Sequence, residues 1–173
     1  MTQWHVHHGD ILDFDADGLL CSANPHLNLS GGVGGAFGLR YGYEMQTFLH
    51  KYLRDRSLKY VEPGNAVVAP PCGSPFVAVA HAVSIDAFYD TTPDIIIQSY
   101  AAAIQGFAAR DCATIAAACL GCGYGRVTVD AFATVATHLF QTHYDNITDI
   151  TLVTTNAELV ERLEPITRIS KNL

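Results

Sequence analysis

Short apolar runs alternate along this chain with longer stretches in which apolar residues recur every three or four positions. The short runs, at residues 3–8, 18–22, 65–69, 76–82, 113–119 and 149–154, have strand length, and most are continuously apolar. Strands covered on both faces read this way. Four helices are predicted between them. The first runs from Val33 or Gly34 to Leu53, with Phe37, Tyr41, Met45 and Phe48 along one face. The second opens at Thr92-Pro93-Asp94 and reaches about Ala109. There Thr can cap, Pro suits the first helical position and Asp complements the dipole. The third follows Thr128-Val129-Asp130 and carries Phe132, Val135, Leu139 and Phe140; the last, Ala157–Leu163, is reached through Thr155-Asn156. This alternation predicts an α/β sandwich with helices on both faces of a sheet.

Composition narrows the function classes. A chain of 173 residues is expected to form one domain, 1–173. At 49% hydrophobic and 16% charged residues it can build a substantial core, which excludes global disorder. Ten basic against seventeen acidic residues leave a formal charge of −7. That balance argues against non-specific binding to nucleic acid or anionic lipid. No apolar run approaches the ~20 residues of a bilayer helix. The start, Met1-Thr-Gln-Trp-His, has neither the basic nor the apolar region of a signal peptide, so a cytoplasmic location is expected. Five cysteines without regular spacing do not form a secreted disulfide framework. The Cys119-Leu-Gly-Cys122 pair lacks a second pair and reads as small apolar residues beside a tight turn.

Two glycine-rich loops carry the candidate chemistry. Leu29-Ser-Gly31-Gly32-Val33-Gly34-Gly35-Ala-Phe37 joins the second strand to the first helix, and Leu120-Gly121-Cys122-Gly123-Tyr124-Gly125-Arg126 follows the fifth strand. Such loops present unobstructed backbone N–H groups, and a helix N-terminus adds a field that favours an anion. Ligands of open α/β sheets bind at the carboxyl ends of strands, where both loops fall. Neither loop is a P-loop, and the turn after the first strand, Gly9-Asp10-Ile11-Leu12, is not a dinucleotide fingerprint. A kinase, ATPase or nicotinamide-dependent oxidoreductase is therefore disfavoured. The anion is expected to rest mainly on backbone amides, with Arg126 the one nearby cation for a charge-assisted contact.

His8-Gly9-Asp10-Ile11, Ala16 to Asn24, and Gly31-Gly32-Val33-Gly34-Gly35-Ala36 together resemble the opening of a macrodomain. Residues 79–83, Val-Ala-His-Ala-Val, look like that family's central strand, and 118–125 are similar to its second phosphate loop. The resemblance holds in order over nearly the whole chain. It implies a three-layer α/β/α sandwich with a mixed, mostly parallel sheet of about six strands, and an ADP-ribose site. Asp10 matches the acid that accepts from the adenine amino group, with Ile11 beside it. A carboxylate there would repel the carbonyl that guanine carries at that position. Gly31, Gly32, Val33 and Gly34 match the loop around the distal ribose and diphosphate. Gly121, Cys122, Gly123, Tyr124 and Gly125 fall on the loop across the diphosphate, and Asn24 matches the Asn that bonds the distal ribose hydroxyls. The partner implied is ADP-ribose or an ADP-ribosylated protein.

The resemblance leaves activity open between ADP-ribosyl hydrolase or O-acetyl-ADP-ribose deacetylase, a non-catalytic reader, and an ADP-ribose 1″-phosphate phosphatase. Gly34 stands where hydrolysing macrodomains often carry Asp, which removes one candidate for orienting water. The second loop is one residue short, so Tyr124 directly follows Gly123. Asn24 and His26 remain as candidate catalytic residues, the latter as a base titrating near neutrality. No metal ligands of the zinc-dependent branch are evident, and neither metal nor cofactor is expected. In the His5, His7 and His8 cluster, His5 and His7 share one strand face and His8 the other, too few ligands for a metal. His81, inside an apolar strand, is expected to be a hydrogen-bonded core residue. Tyr41, Tyr43 and Phe48 read as packing and surface residues.

Overall fold

The structure, a computed structural model, describes residues 1–170. Six strands form one sheet: β1 (Gln3–His8), β2 (Gly18–Ala23), β3 (Asn65–Ala69), β4 (Ala78–Val83), β5 (Thr114–Ala117) and β6 (Asp149–Thr154). Their order is β1-β6-β5-β2-β4-β3, with β3 antiparallel to β4 and every other neighbour parallel. Five helices cover it: α1 (Gly32–Tyr41), α2 (Glu44–Asp55), α3 (Pro93–Ala108), α4 (Val129–Leu139) and α5 (Ala157–Ser170). This is the three-layer sandwich that the sequence pattern and the resemblance imply.

The continuously apolar strands split their side chains between two cores. Leu19, Cys21, Val79, Val83 and Ala116 pack with Phe37 of α1 and Met45, Leu49 and Leu53 of α2. Leu20, Ala80, Ala82, Ile115 and Ala117 face Ile96, Tyr100, Ile104 and Phe107 of α3, Phe132 of α4 and Leu159 of α5. The alternation follows from the two-residue period of a strand, and because both faces are covered it makes the central strands mostly apolar. Asp17 ties β2 to β5 at their starts: its Oδ2 accepts from the N–H groups of Ala113 and Thr114 at 2.8 and 2.9 Å. The Thr114 backbone bond contributes most to holding this carboxyl below the usual carboxylate range.

Helix starts follow their sequence signals. Thr92 Oγ1 accepts from Ile95 N with Pro93 next to it, and Thr128 Oγ1 accepts from Ala131 N. Asn156 Oδ1 accepts from Glu158 N at the start of α5. That helix runs on to Ser170, past Pro165, well beyond the expected Leu163. The predicted single helix 33–53 is two helices. Its apolar period passes through Gly42, but the backbone there turns to φ +89° and α1 ends, with Gly42 N still donating to Gly38 O. Smaller corrections concern β4, which starts at Ala78 instead of residue 76, and β5, which spans Thr114–Ala117 instead of 113–119.

Candidate ligand cleft

The cleft lies at the carboxyl ends of the parallel strands and encloses about 790 Å³. Gly9–Leu12 after β1 form one end; Ile85 and Tyr89 after β4 stand at the other. Between them come the segments after β6, β5 and β2, in the order of the strands. Asp10, Ile11, Asn24, Gly31, Gly32, Val33, Gly34, Gly121, Cys122, Gly123, Tyr124 and Gly125 all line this one space.

The first loop is organised from α2. Gln46 Nε2 donates to Leu27 O at 2.9 Å while its Oε1 accepts from Leu29 N at 2.7 Å. Asn24 Nδ2 donates to Asn28 O at 2.7 Å and its Oδ1 accepts from Asn28 N at 3.2 Å, which fixes the orientation of the amide. His50 Nε2 lies 2.9 Å from Asn28 Oδ1, and Leu27 is fully buried beneath the loop. One Nδ2 hydrogen and further oxygen lone pairs of Asn24 are left over from these bonds for a ligand. The loop delivers the chain into α1, whose first turn has no side-chain cap. Its leading N–H groups, from Gly32 onward, are the orphan donors that bind anions at a helix start. α3 and α4, by contrast, are closed by Thr92 and Thr128.

The second loop is held from below by Tyr100. This buried hydroxyl donates to Ala118 O at 2.5 Å and accepts from Leu120 N at 3.2 Å, bridging the bend at Cys119. The loop then folds back so closely that a Cβ on Gly125 would lie 2.4 Å from Gly121 O. Only glycine fits there. Tyr124 projects from this turn across Gly31, with its ring two-thirds exposed.

Asp10 caps the short 3₁₀ turn Ile11–Asp13, its Oδ1 accepting from Leu12 N at 2.9 Å. Its other oxygen faces Arg40 at 3.5 Å, and Arg40 also binds Asp13 at 2.6 Å. The bond to Asp13 is the main reason that the guanidinium titrates above its usual range. Among the cleft-lining residues there is no Lys or Arg.

Two expected residues stand elsewhere. Arg126 does not line the cleft; it pairs with Asp90 at 3.4 Å beside a smaller neighbouring cavity. His26 is also outside the lining, with Nδ1 3.3 Å from Lys59 O and its ring edge-on to Tyr60. His81 corrects the sequence reading. It is buried in the floor of the cleft, yet neither ring nitrogen has a hydrogen-bond partner, and burial lowers its pKa to about 4. Its register partner is Cys21 on β2, whose thiol burial pushes up to about 12. Burial also raises Cys119 and brings Cys122 to about 12, so neither is a thiolate at neutral pH. His5 pairs with Asp149, His8 lies against Thr155 O, and His7 packs on Phe14. Among the described residues no group of three or more His, Cys, Asp or Glu side chains is arranged to hold a metal.

Sequence reasoning missed Gln46, His50 and Tyr100, which shape the two loops, and Tyr89, which closes one end. Thr154-Thr155-Asn156 also lines the cleft, where the sequence suggested only a helix start.

The profile of the Macro domain family matches residues 21–136, about two-thirds of the chain, and the chain belongs to that family. A search of curated proteins finds no match. Among solved structures, an Oceanobacillus iheyensis macrodomain mutant with ADPR superposes with a TM-score of 0.84 at 17% identity, covering 97% of this chain and 93% of that one. A Trypanosoma brucei macrodomain in complex with ADP-ribose gives 0.76 at 17% identity, over 94% and 68%. The macro domain of ganglioside induced differentiation associated protein 2 gives 0.76 at 15%, over 95% and 84%. At these identities the likeness is one of fold. Among the described residues no helix is long and apolar enough to cross a membrane.

Proposed function

We propose that the cleft binds ADP-ribose, free or carried on a protein. The observation that carries this reading is the uncapped start of α1 facing the 121–125 turn across a space without Lys or Arg. Two sets of backbone amides suit a diphosphate, which they can hold without counter-charges. The reading puts adenine at the Asp10 end, where a carboxylate oxygen accepts from an amino group. The distal ribose then sits beside Asn24 and Tyr124. The volume is within the range of small-molecule sites, and two structural neighbours of the same fold hold this ligand.

Calorimetry with ADP-ribose, AMP and GDP tests the assignment. ADP-ribose is expected to bind best, and equal binding of the three would sink it. Asp10→Ala is expected to cost roughly 1.5–3 kcal/mol of binding through loss of a charged hydrogen bond.

Within this reading the site favours a reader over a hydrolase. Position 34 is Gly, Cys119 and Cys122 are protonated, and His81 is buried. The one carboxylate in the lining, Asp10, belongs to the opposite end of the strand order from Tyr89. Within the cleft lining, therefore, neither a carboxylate nor a histidine other than the buried His81 stands at the distal end as a general base. Release of ADP-ribose from carboxylate-modified protein is expected at the buffer rate. Faster release, abolished by Asn24→Ala, would instead assign water positioning to Asn24.

A further inference from the structure

A second cavity of about 190 Å³ opens beside the distal end of the cleft and shares Tyr89 with it. Its floor is apolar, from Ile96, Val127 and Val135, while Asp90 and Arg126 stand at its mouth. Tyr89 has φ +66°, a left-handed backbone that bulky residues rarely adopt. The conformation is imposed by Asp86, whose Oδ1 accepts from Phe88 N at 2.8 Å and Asp90 N at 2.9 Å. Tyr89 N also donates to Asp86 O, and Asp86 N to Asp90 O. A loop tied this way holds Phe88 75% exposed and Tyr89 51% exposed, with Tyr124 projecting from the loop opposite. Strain of this kind, spent to present aromatic rings to solvent, marks a contact surface.

We infer that this cavity and the Phe88–Tyr89 loop seat the polypeptide that carries the ADP-ribose. The inference rests on the ADP-ribose reading of the cleft. A protein-borne ADP-ribose is joined to its carrier through the anomeric carbon of the distal ribose, so the carrier chain leaves the cleft at this end. The cavity then takes an apolar side chain close to the modified residue, and the two rings cover the flanking backbone. Charge selects a polypeptide over further nucleotides. Asp90 lines the cavity, paired with Arg126, while Asp86, Asp94 and Asp130 flank its lining positions in sequence and the whole chain carries a formal charge of −7. This excess of carboxylates repels polyphosphate and accepts a peptide with apolar and basic side chains.

The experiment compares four probes by calorimetry on the full chain. They are free ADP-ribose, a synthetic peptide with one ADP-ribosylated side chain flanked by Leu and Lys, the same peptide unmodified, and an ADP-ribose dimer. The modified peptide is expected to bind about tenfold or more tighter than free ADP-ribose, and the dimer no tighter. Phe88→Ala, at an exposed ring, and Ala131→Leu, which narrows the cavity mouth from an exposed helix position, should remove that advantage. Both should leave free ADP-ribose affinity within twofold of wild type. The inference is overturned if the modified peptide gains nothing, if its gain survives both variants, if the dimer gains as much, or if the peptide binds only by pairing two copies of the chain in sedimentation. Failure of free ADP-ribose to bind overturns the underlying reading instead, and is read from the first probe alone.

Discussion

The Tyr124 hydroxyl occupies the space that a side chain on Gly31 would need: a methyl group there would lie 2.3 Å from Tyr124 Oη. The two glycine loops, ninety residues apart in sequence, therefore meet as one surface. Gly31 itself sits at φ +71° and ψ 175°, a region all but reserved for glycine, where an L-residue is strained by roughly 1–3 kcal/mol. Gly31→Ala should lower stability by about that amount, since the exposed tyrosine ring can swing aside. Its effect on ADP-ribose affinity should be non-additive with Tyr124→Ala, with a coupling of about 0.5–1 kcal/mol in a double-mutant cycle. Strict additivity would show that the loops act independently.

Tyr100→Phe keeps the ring in the core and removes one oxygen. It leaves Ala118 O and Leu120 N without the bonds that bridge the bend at Cys119. Urea unfolding should show a loss of about 2–4 kcal/mol, the cost of two unmet buried groups. ADP-ribose binding should weaken as well, because the amides of 121–125 lose their support. A stable variant with unchanged affinity would mean that the turn is shaped by its glycines alone.

His81 predicts a specific acid sensitivity. Unfolded imidazole takes up a proton near pH 6.5, whereas the buried ring resists protonation until about pH 4. Between these values the unfolded state binds more protons, so stability falls as the pH drops through that window, by up to about 3 kcal/mol. Thermal unfolding from pH 7 to pH 4 should show this slope in wild type. In His81→Leu the slope should flatten, and the loss of two unpaired buried nitrogens should leave stability at pH 7 equal or higher. Asp17, whose pKa is lowered, adds its own loss only below pH 4.

The thiols give a probe of packing. At pH 8 the fully buried Cys21 should react with an alkylating reagent at the rate of global unfolding, while the partly exposed Cys119 and Cys122 should react far more slowly than a free thiol because their pKa values are raised. Rapid modification of the Cys119–Cys122 pair in the native protein would contradict the packing beneath the second loop.

The elements were largely legible because their causes are local. Leu19-Leu20-Cys21 reads as a doubly covered strand since each neighbour needs a different core, and Thr92 and Thr128 announce helices by capping the residues that follow them. Both glycine loops show in the local composition, whereas the part given to Asp10 rests on the ordered resemblance to the macrodomain family. What stayed hidden depends on distance in sequence. Nothing near Gln46 signals that it spans Leu27 and Leu29, and Tyr100 looks like any core aromatic until Ala118 and Leu120 are beside its hydroxyl. The break at Gly42 was masked by an apolar period that continues through it. His81 misled because a histidine in an apolar strand normally finds a partner, and here its register neighbour is a cysteine.

An anion cradle made of amides alone has a consequence for how a ligand arrives. The chain carries a formal charge of −7 and the cleft offers no cation to offset it, so a diphosphate approaches against a repulsive field. Added salt screens that repulsion. Association should quicken with rising ionic strength while dissociation, governed by short-range amide contacts, stays nearly constant. Affinity would then hold or improve in concentrated electrolyte, the opposite of what lysine- and arginine-lined phosphate sites do, and stopped-flow measurements across a salt series would display it.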